Sequence, residues 1–206
     1  MKAAREEFAN FVSLLSNRLS AVHDFLKYMQ CLLQLTLYPS KGWEDVSQAG
    51  TDRRSLLYRG LFPLLFVVAM STFARLLYTM STLTFTSACI LAVMTFVAYF
   101  VSLPIALFIF QMRLPDFIEG SYNDYRTSTF INYSLGLLAI TTLIGNLLPF
   151  DIGINNFLPI YVALIQWKGS RFMAVRKDAV PRFMLMAVLS LIALPLFIRY
   201  VFTMIL

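Results

Sequence analysis

The sequence predicts an all-α, polytopic integral membrane protein, with five transmembrane helices in residues 57–206 behind a cytoplasmic amphipathic arm and pre-membrane turn in residues 1–56. Three observations predict it. Hydrophobic residues make up 59% of the chain and charged residues 14%, against about 45–50% and about 25% in an ordinary soluble domain. Five apolar stretches occupy residues 57–78, 85–110, 130–148, 152–167 and 183–206. Four of the five meet or approach the roughly 20 helical residues that cross a bilayer core of about 30 Å. Finally, fifteen of the seventeen Lys and Arg residues fall in three segments that alternate with those stretches.

The same basic residues set an orientation. Eight of them, from Lys2 to Arg59, precede or open the first span; Arg113 and Arg126 follow the second; Lys168, Arg171, Arg176, Lys177 and Arg182 follow the fourth. Residues 79–84, residues 149–151 and the C-terminus carry none. Cytoplasmic loops hold the excess of Lys and Arg, so the N-terminus is expected in the cytoplasm and the C-terminus outside. The lipid bilayer is thus the first expected partner. A net charge of +6 produced by such loops needs no nucleic acid to explain it.

In the arm, Phe8, Val12, Leu15, Leu19, Val22, Leu26, Met29 and Leu33 follow at alternating steps of four and three, one apolar stripe along a helix. Arg5, Glu6, Asn17, Arg18, Asp24 and Lys27 lie off it. Such a stripe suits the membrane interface, the cytoplasmic end of the bundle, or a second copy as a short coiled coil. Residues 5–37 are therefore the expected surface for a protein partner or homo-oligomer. Burial is expected to deepen from Met29 towards Tyr38, and Pro39 to end the helix because it has no amide hydrogen. Trp43 carries an amphipathic ring suited to the headgroup level. Glu6 and Glu7 follow the first basic residues and no apolar leader core appears, so a cleaved signal peptide is not expected.

Among the spans, Pro63 sits in the first turns of the first helix, where amides lack partners anyway. Ala88, Ala92, Thr95, Ala98, Ser102 and Ala106 put only small side chains on one face of the second, predicting close packing and a central place. Pro104 is a candidate kink in that span, and Pro195 one in the last. Residues 152–167 are short for a crossing, and a half-crossing segment is the alternative. Unless they cross, however, five basic residues from Lys168 to Arg182 fall on the outside. Asp178 is a candidate N-cap for the last span, with Pro181 near its first position.

Chemistry is sparsely represented. The single histidine, His23, lies on the arm, and no hydrolase, nucleotide-binding or zinc motif occurs. Asp116, Glu119 and Asp124 share a loop with basic residues and lack calcium-loop spacing, which reads as solvated surface. Cys31 and Cys89 lie far apart and offer no disulfide or metal framework. No cofactor, metal or catalytic residue is expected, and the chain reads as a non-enzyme. The charges beside hydrocarbon are Arg75, Asp151 and Arg199. Helical rise puts Arg75 about 24 Å beyond Arg59 and Arg199 about 26 Å beyond Arg182, so the three form a candidate outer-face cluster. The alternative is two arginines snorkelling separately. Asn146, Asp151, Asn155 and Asn156 around Pro149 supply a second functional reading, a polar path of a small transporter or channel subunit.

Pro39 and Trp43 ahead of the first span resemble a motif of bacterial Yip1 proteins. Tyr133, Ser134 and Leu135 in the third span, Pro149 after it, and Tyr161, Gly169 and Met173 around the fourth resemble the C-terminal half of that family. The resemblance runs from about residue 38 to the end. It departs where Leu135, Gly136 and Leu137 replace a proline that often follows the tyrosine, which puts a family-typical kink in doubt. What it implies is five spans, a cytoplasmic N-terminus, a bacterial inner-membrane location and a non-enzymatic, membrane-organising or adaptor role. In eukaryotes such proteins bind small GTPases and shape or sort membranes.

Overall fold

This computed structural model describes residues 2–48, 50, 52–78, 84–148 and 157–205, and among them every regular element is helical. Helix α1, Lys2–Leu37, runs for 36 residues. It stops where Pro39 opens α2, Pro39–Gln48, since proline can begin a helix but not continue one. The Gln34 amide donates to the Asp45 carboxylate across this break, so α2 folds back on α1 as a helical hairpin.

Next comes α3, Arg53–Leu77. Asp52 caps it, accepting from the backbone amides of Arg54 at 3.1 Å and Ser55 at 3.4 Å. Residues Leu56–Leu61 of α3 form a π-helical stretch directly before Pro63. The wider turn gives the proline ring room that an α-turn denies it. Helix α4, Phe85–Arg113, is capped by Thr84, and α5, Asp124–Leu147, by Asn123. Helix α6, Leu158–Gly169, has twelve residues. Helix α7, Val180–Phe202, contains a second π-helical stretch, Leu189–Ala193, again just before a proline, Pro195. Four of these, α3, α4, α5 and α7, are long and apolar enough to cross a membrane.

The three basic segments meet at one end of the bundle. Arg53 at the start of α3 pairs with Asp124 at the start of α5. The loop after α4 joins the loop after α6 through a short antiparallel bridge, Glu119 N–H to the Ala174 carbonyl at 2.8 Å and Arg176 N–H to the Phe117 carbonyl at 2.9 Å. At the far end, the Tyr78 hydroxyl donates to the Asn146 carbonyl and Phe73 lies 5.7 Å from Phe85, ring to ring. Helix α6 ends at the basic end, where Gly169 rests on Phe130 of α5.

Two sequence expectations need correction. The small-residue face of α4 is buried as anticipated, but α5 rather than α4 is the central helix. Every residue of α5 from 127 to 139 is buried, whereas Phe85, Val93, Phe100 and Phe108 leave the other side of α4 exposed. Small side chains permit close approach on one face; they do not enclose a helix on all sides. Pro104 lies inside α4, which runs on to Arg113 as one helix. The last span is capped by Ala179, which has no side-chain cap, because Asp178 falls one position early in the preceding turn.

Candidate functional site

Helix α1 has two apolar faces, and the bundle takes the less regular one. Tyr28, Leu32 and Leu35 are buried, while Leu19, Val22, Leu26 and Leu33 of the regular stripe are all exposed. Of the described stripe residues only Met29 packs on the core, so the bundle end takes the neighbouring face. The receiving surface explains the choice. Tyr28 lies between Gly60 of α3 and Gly136 of α5, where a methyl group at Gly60 would stand 2.8 Å from the phenol ring and one at Gly136 would overlap the hydroxyl. Only a notch without side chains admits the ring. Its hydroxyl donates to the Asn132 carbonyl at 3.2 Å, and the ring stacks on Tyr133 at 5.1 Å. One turn earlier, Arg59 donates to Asp24 at 2.7 Å, and this hydrogen bond holds the carboxyl below its ordinary range.

The notch lies well inside the bundle. Asn132 and Gly136 follow Asp124 by eight and twelve residues, or about 12 and 18 Å of helical rise, in a helix of 24 residues. The hairpin therefore enters from the basic end and reaches about half the height of α5. Its tip touches α6, where the Tyr161 hydroxyl donates to the Thr36 carbonyl.

Trp43 was expected among headgroups, and it is instead a core anchor with 3% exposure. Its indole N–H donates to the Ile165 carbonyl at 3.0 Å. The ring is sandwiched between Phe130 at 5.2 Å and Phe172 at 5.3 Å. Gly169 makes the sandwich possible, since a methyl group there would stand 2.7 Å from both Phe130 and Trp43. A tryptophan whose single donor is satisfied has no need of the interface. Beside it a cleft of about 350 Å³ opens at the basic end, edged by Ser40, Glu44, Arg126, Lys168 and Arg171.

Of the other family-like positions, Tyr133, Ser134 and Met173 are buried, Tyr133 against Tyr28 of the hairpin. The candidate outer cluster is not assembled on the described residues. Asp151 lies outside them, as do Pro149, Asn155 and Asn156. Arg75 is partly buried in the closing turn of α3, and Arg199 lies within electrostatic reach of the Tyr99 hydroxyl on α4. Asn146 is a clamp between helices: its amide donates to the Ser71 hydroxyl at 2.9 Å, and its carbonyl receives Tyr78. No group of three or more His, Cys, Asp or Glu able to hold a metal occurs among the described residues.

Sequence reasoning missed Tyr28, Gly60 and Gly136. A signal for the glycines existed, because glycine inside a helix costs about 1 kcal/mol relative to alanine and so marks a close approach. Together, four helices able to cross a membrane and a hairpin seated among them define the class, a multi-pass helical membrane protein. Comparison with known protein families, characterised proteins and solved structures finds no match.

Proposed function

We propose that this chain is a non-enzymatic, membrane-organising protein of Yip1-like type, crossing a bacterial inner membrane five times with its basic end in the cytoplasm. The observation that carries this reading is the α1–α2 hairpin, seated from the basic end to half the height of α5. Two extra helices widen the cytoplasmic half of the bundle and leave the outer half unchanged. The exposed Leu26, Leu33 and Leu37 then meet acyl chains of the cytoplasmic leaflet, as the apolar face of an interfacial helix does. A body wider in one leaflet favours membrane curved towards the other. Five crossings agree with α6 returning the chain to the basic end, its twelve residues accommodated by local thinning. The transporter alternative is weakened because Asn146 spends its amide on Ser71.

The test is partition of the full-length protein, reconstituted in giant vesicles, between flat membrane and a pulled tether. Enrichment on tethers of one curvature sign is expected, and Gly136→Leu, which blocks the hairpin seat, should abolish it. Equal partition of the wild-type protein between tether and vesicle would overturn the reading. For topology, cysteines placed at Ser121 and Ser170 should resist an impermeant external thiol reagent, and labelling at Ser170 would remove the fourth crossing.

A further inference from the structure

Helices α4 and α7 pack together along the far half of the bundle, where α4 meets Leu189–Ala193 and the helical turns beyond. Towards the basic end they part. The gap is a groove of about 430 Å³ with Ile105 and Ile109 on one wall and Leu185, Leu189 and Leu194 on the other. Phe110 of α4 and Phe183 of α7, edge to face at 6.1 Å, are both fully buried and brace the helices apart behind it. The one hydroxyl on the lining, that of Ser190, is bonded to the Met186 carbonyl at 2.7 Å, so the wall is dry.

The mouth of the groove differs from its walls. Arg113 and Arg182 stand there, one from each helix, both exposed. Among the described residues neither guanidinium has a carboxylate partner. Two like charges at the rim of an apolar groove call for an anion, and the guanidinium fork matches phosphate oxygens in pairs. Length fits as well. Arg182 to Leu194 covers about 18 Å of rise and Arg113 to Ile105 about 12 Å, against about 15 Å for half of a bilayer core. A soluble phosphate accounts for the arginines but leaves the apolar walls without a purpose.

We infer that the groove between α4 and α7 binds an anionic phospholipid of the basic-end leaflet, its acyl chain against Ile105, Ile109, Leu185 and Leu189 and its phosphate between Arg113 and Arg182. The inference rests on the membrane-spanning reading, not on hairpin-driven curvature. In lipid recognition of this kind, basic groups between spans on the cytoplasmic side hold headgroups.

The experiment uses full-length protein in nanodiscs containing equal phosphatidylglycerol and phosphatidylcholine, with retained lipid counted by native mass spectrometry after gentle release. Phosphatidylglycerol is expected to be retained several-fold over phosphatidylcholine. Arg113→Gln combined with Arg182→Gln should bring the two to parity. Ile109→Trp, which fills the groove and leaves both arginines, should lower retention of the anionic lipid by a similar factor. Millimolar glycerol phosphate should not displace it. Equal retention of the two lipids by the wild-type protein would show annular lipid only and overturn the inference without any variant having to fold. Displacement by glycerol phosphate would overturn it in favour of a soluble phosphate site. Unchanged tether partition in the double arginine variant would separate this site from the hairpin.

Discussion

Leu32 and Leu33 are chain neighbours with identical side chains, yet Leu32 is 0% exposed and Leu33 55%. They belong to the two apolar faces of α1. The face with Leu33 repeats every three or four residues, and in the described part of the helix Leu19, Val22, Leu26 and Leu33 on it are exposed while Met29 alone reaches the core. The face with Leu32 is irregular, beginning with a polar-tipped Tyr28, and it carries the docking. The contrast teaches that periodicity records a partner that is itself uniform along the helix, such as a lipid leaflet. A protein partner is lumpy. Its imprint is a few large side chains on one helix and missing side chains on the other, here Gly60 and Gly136.

The strongest way to break that contrast is to truncate both leucines. Leu32→Ala is expected to cost about 2–5 kcal/mol, the range for large-to-small changes in a packed interior. Leu33→Ala should stay within about 0.5 kcal/mol, as for a surface change. Thermal unfolding of both variants in nanodiscs decides it, and equal losses would mean that the regular stripe also packs on protein.

A second probe leaves α1 intact and closes its seat. Gly136→Ala forces a methyl group into the Tyr28 hydroxyl, and overpacking of this kind costs about 1–3 kcal/mol. Combined with Tyr28→Phe, which removes the clashing oxygen, part of the loss should return. Failure of that rescue in the same thermal assay would place the strain elsewhere.

Trp43→Phe keeps an aromatic ring between Phe130 and Phe172 but loses the donor to Ile165. The expected loss is about 0.5–1.5 kcal/mol, the net worth of one such hydrogen bond. Faster amide exchange in α6 should accompany it.

The smallest effect concerns the exposed rim of the hairpin. The Asp24 carboxyl is held below its ordinary range by Arg59, so its folded-state value lies below the unfolded one. Its contribution is complete at neutral pH and is lost as pH falls through the folded-state value. The pair is partly exposed, and such pairs contribute about 0.2–1 kcal/mol. Asp24→Asn should remove this acid-side slope from a plot of melting temperature against pH while leaving the rest unchanged.

What the sequence disclosed was whatever rests on the solvent. Lys and Arg segregate because hydrocarbon excludes charge, so the gathering of Arg53, Arg113 and Lys168 at one end could be counted in advance. Pro39 as a helix boundary and the buried face from Ala88 to Ala106 were equally legible, since backbone chemistry and side-chain size are local properties. What it concealed depends on what stands opposite. Trp43 is chemically suited to the interface and to a sandwich with a backbone acceptor, and only the presence of Phe130, Phe172 and Ile165 decides. The centrality of α5 was hidden for the same reason: Thr127, Ser128, Asn132 and Ser134 are polar, yet all four are buried. Polar residues in a span are tolerable when protein surrounds the helix on every side.

The two tryptophans of the chain also make it optically simple. Trp43 is enclosed and hydrogen-bonded inside the hairpin seat, whereas Trp167 is 50% exposed with the Lys168 ammonium 5.1 Å from its ring. Replacing Trp167 by phenylalanine leaves one indole whose emission depends on whether α2 is seated. Seated, it emits from an apolar sandwich and is shielded from a water-soluble quencher; released, it shifts to the red and is quenched. The same ring that anchors the hairpin thus provides a native fluorophore for timing its departure, with no dye or tag attached.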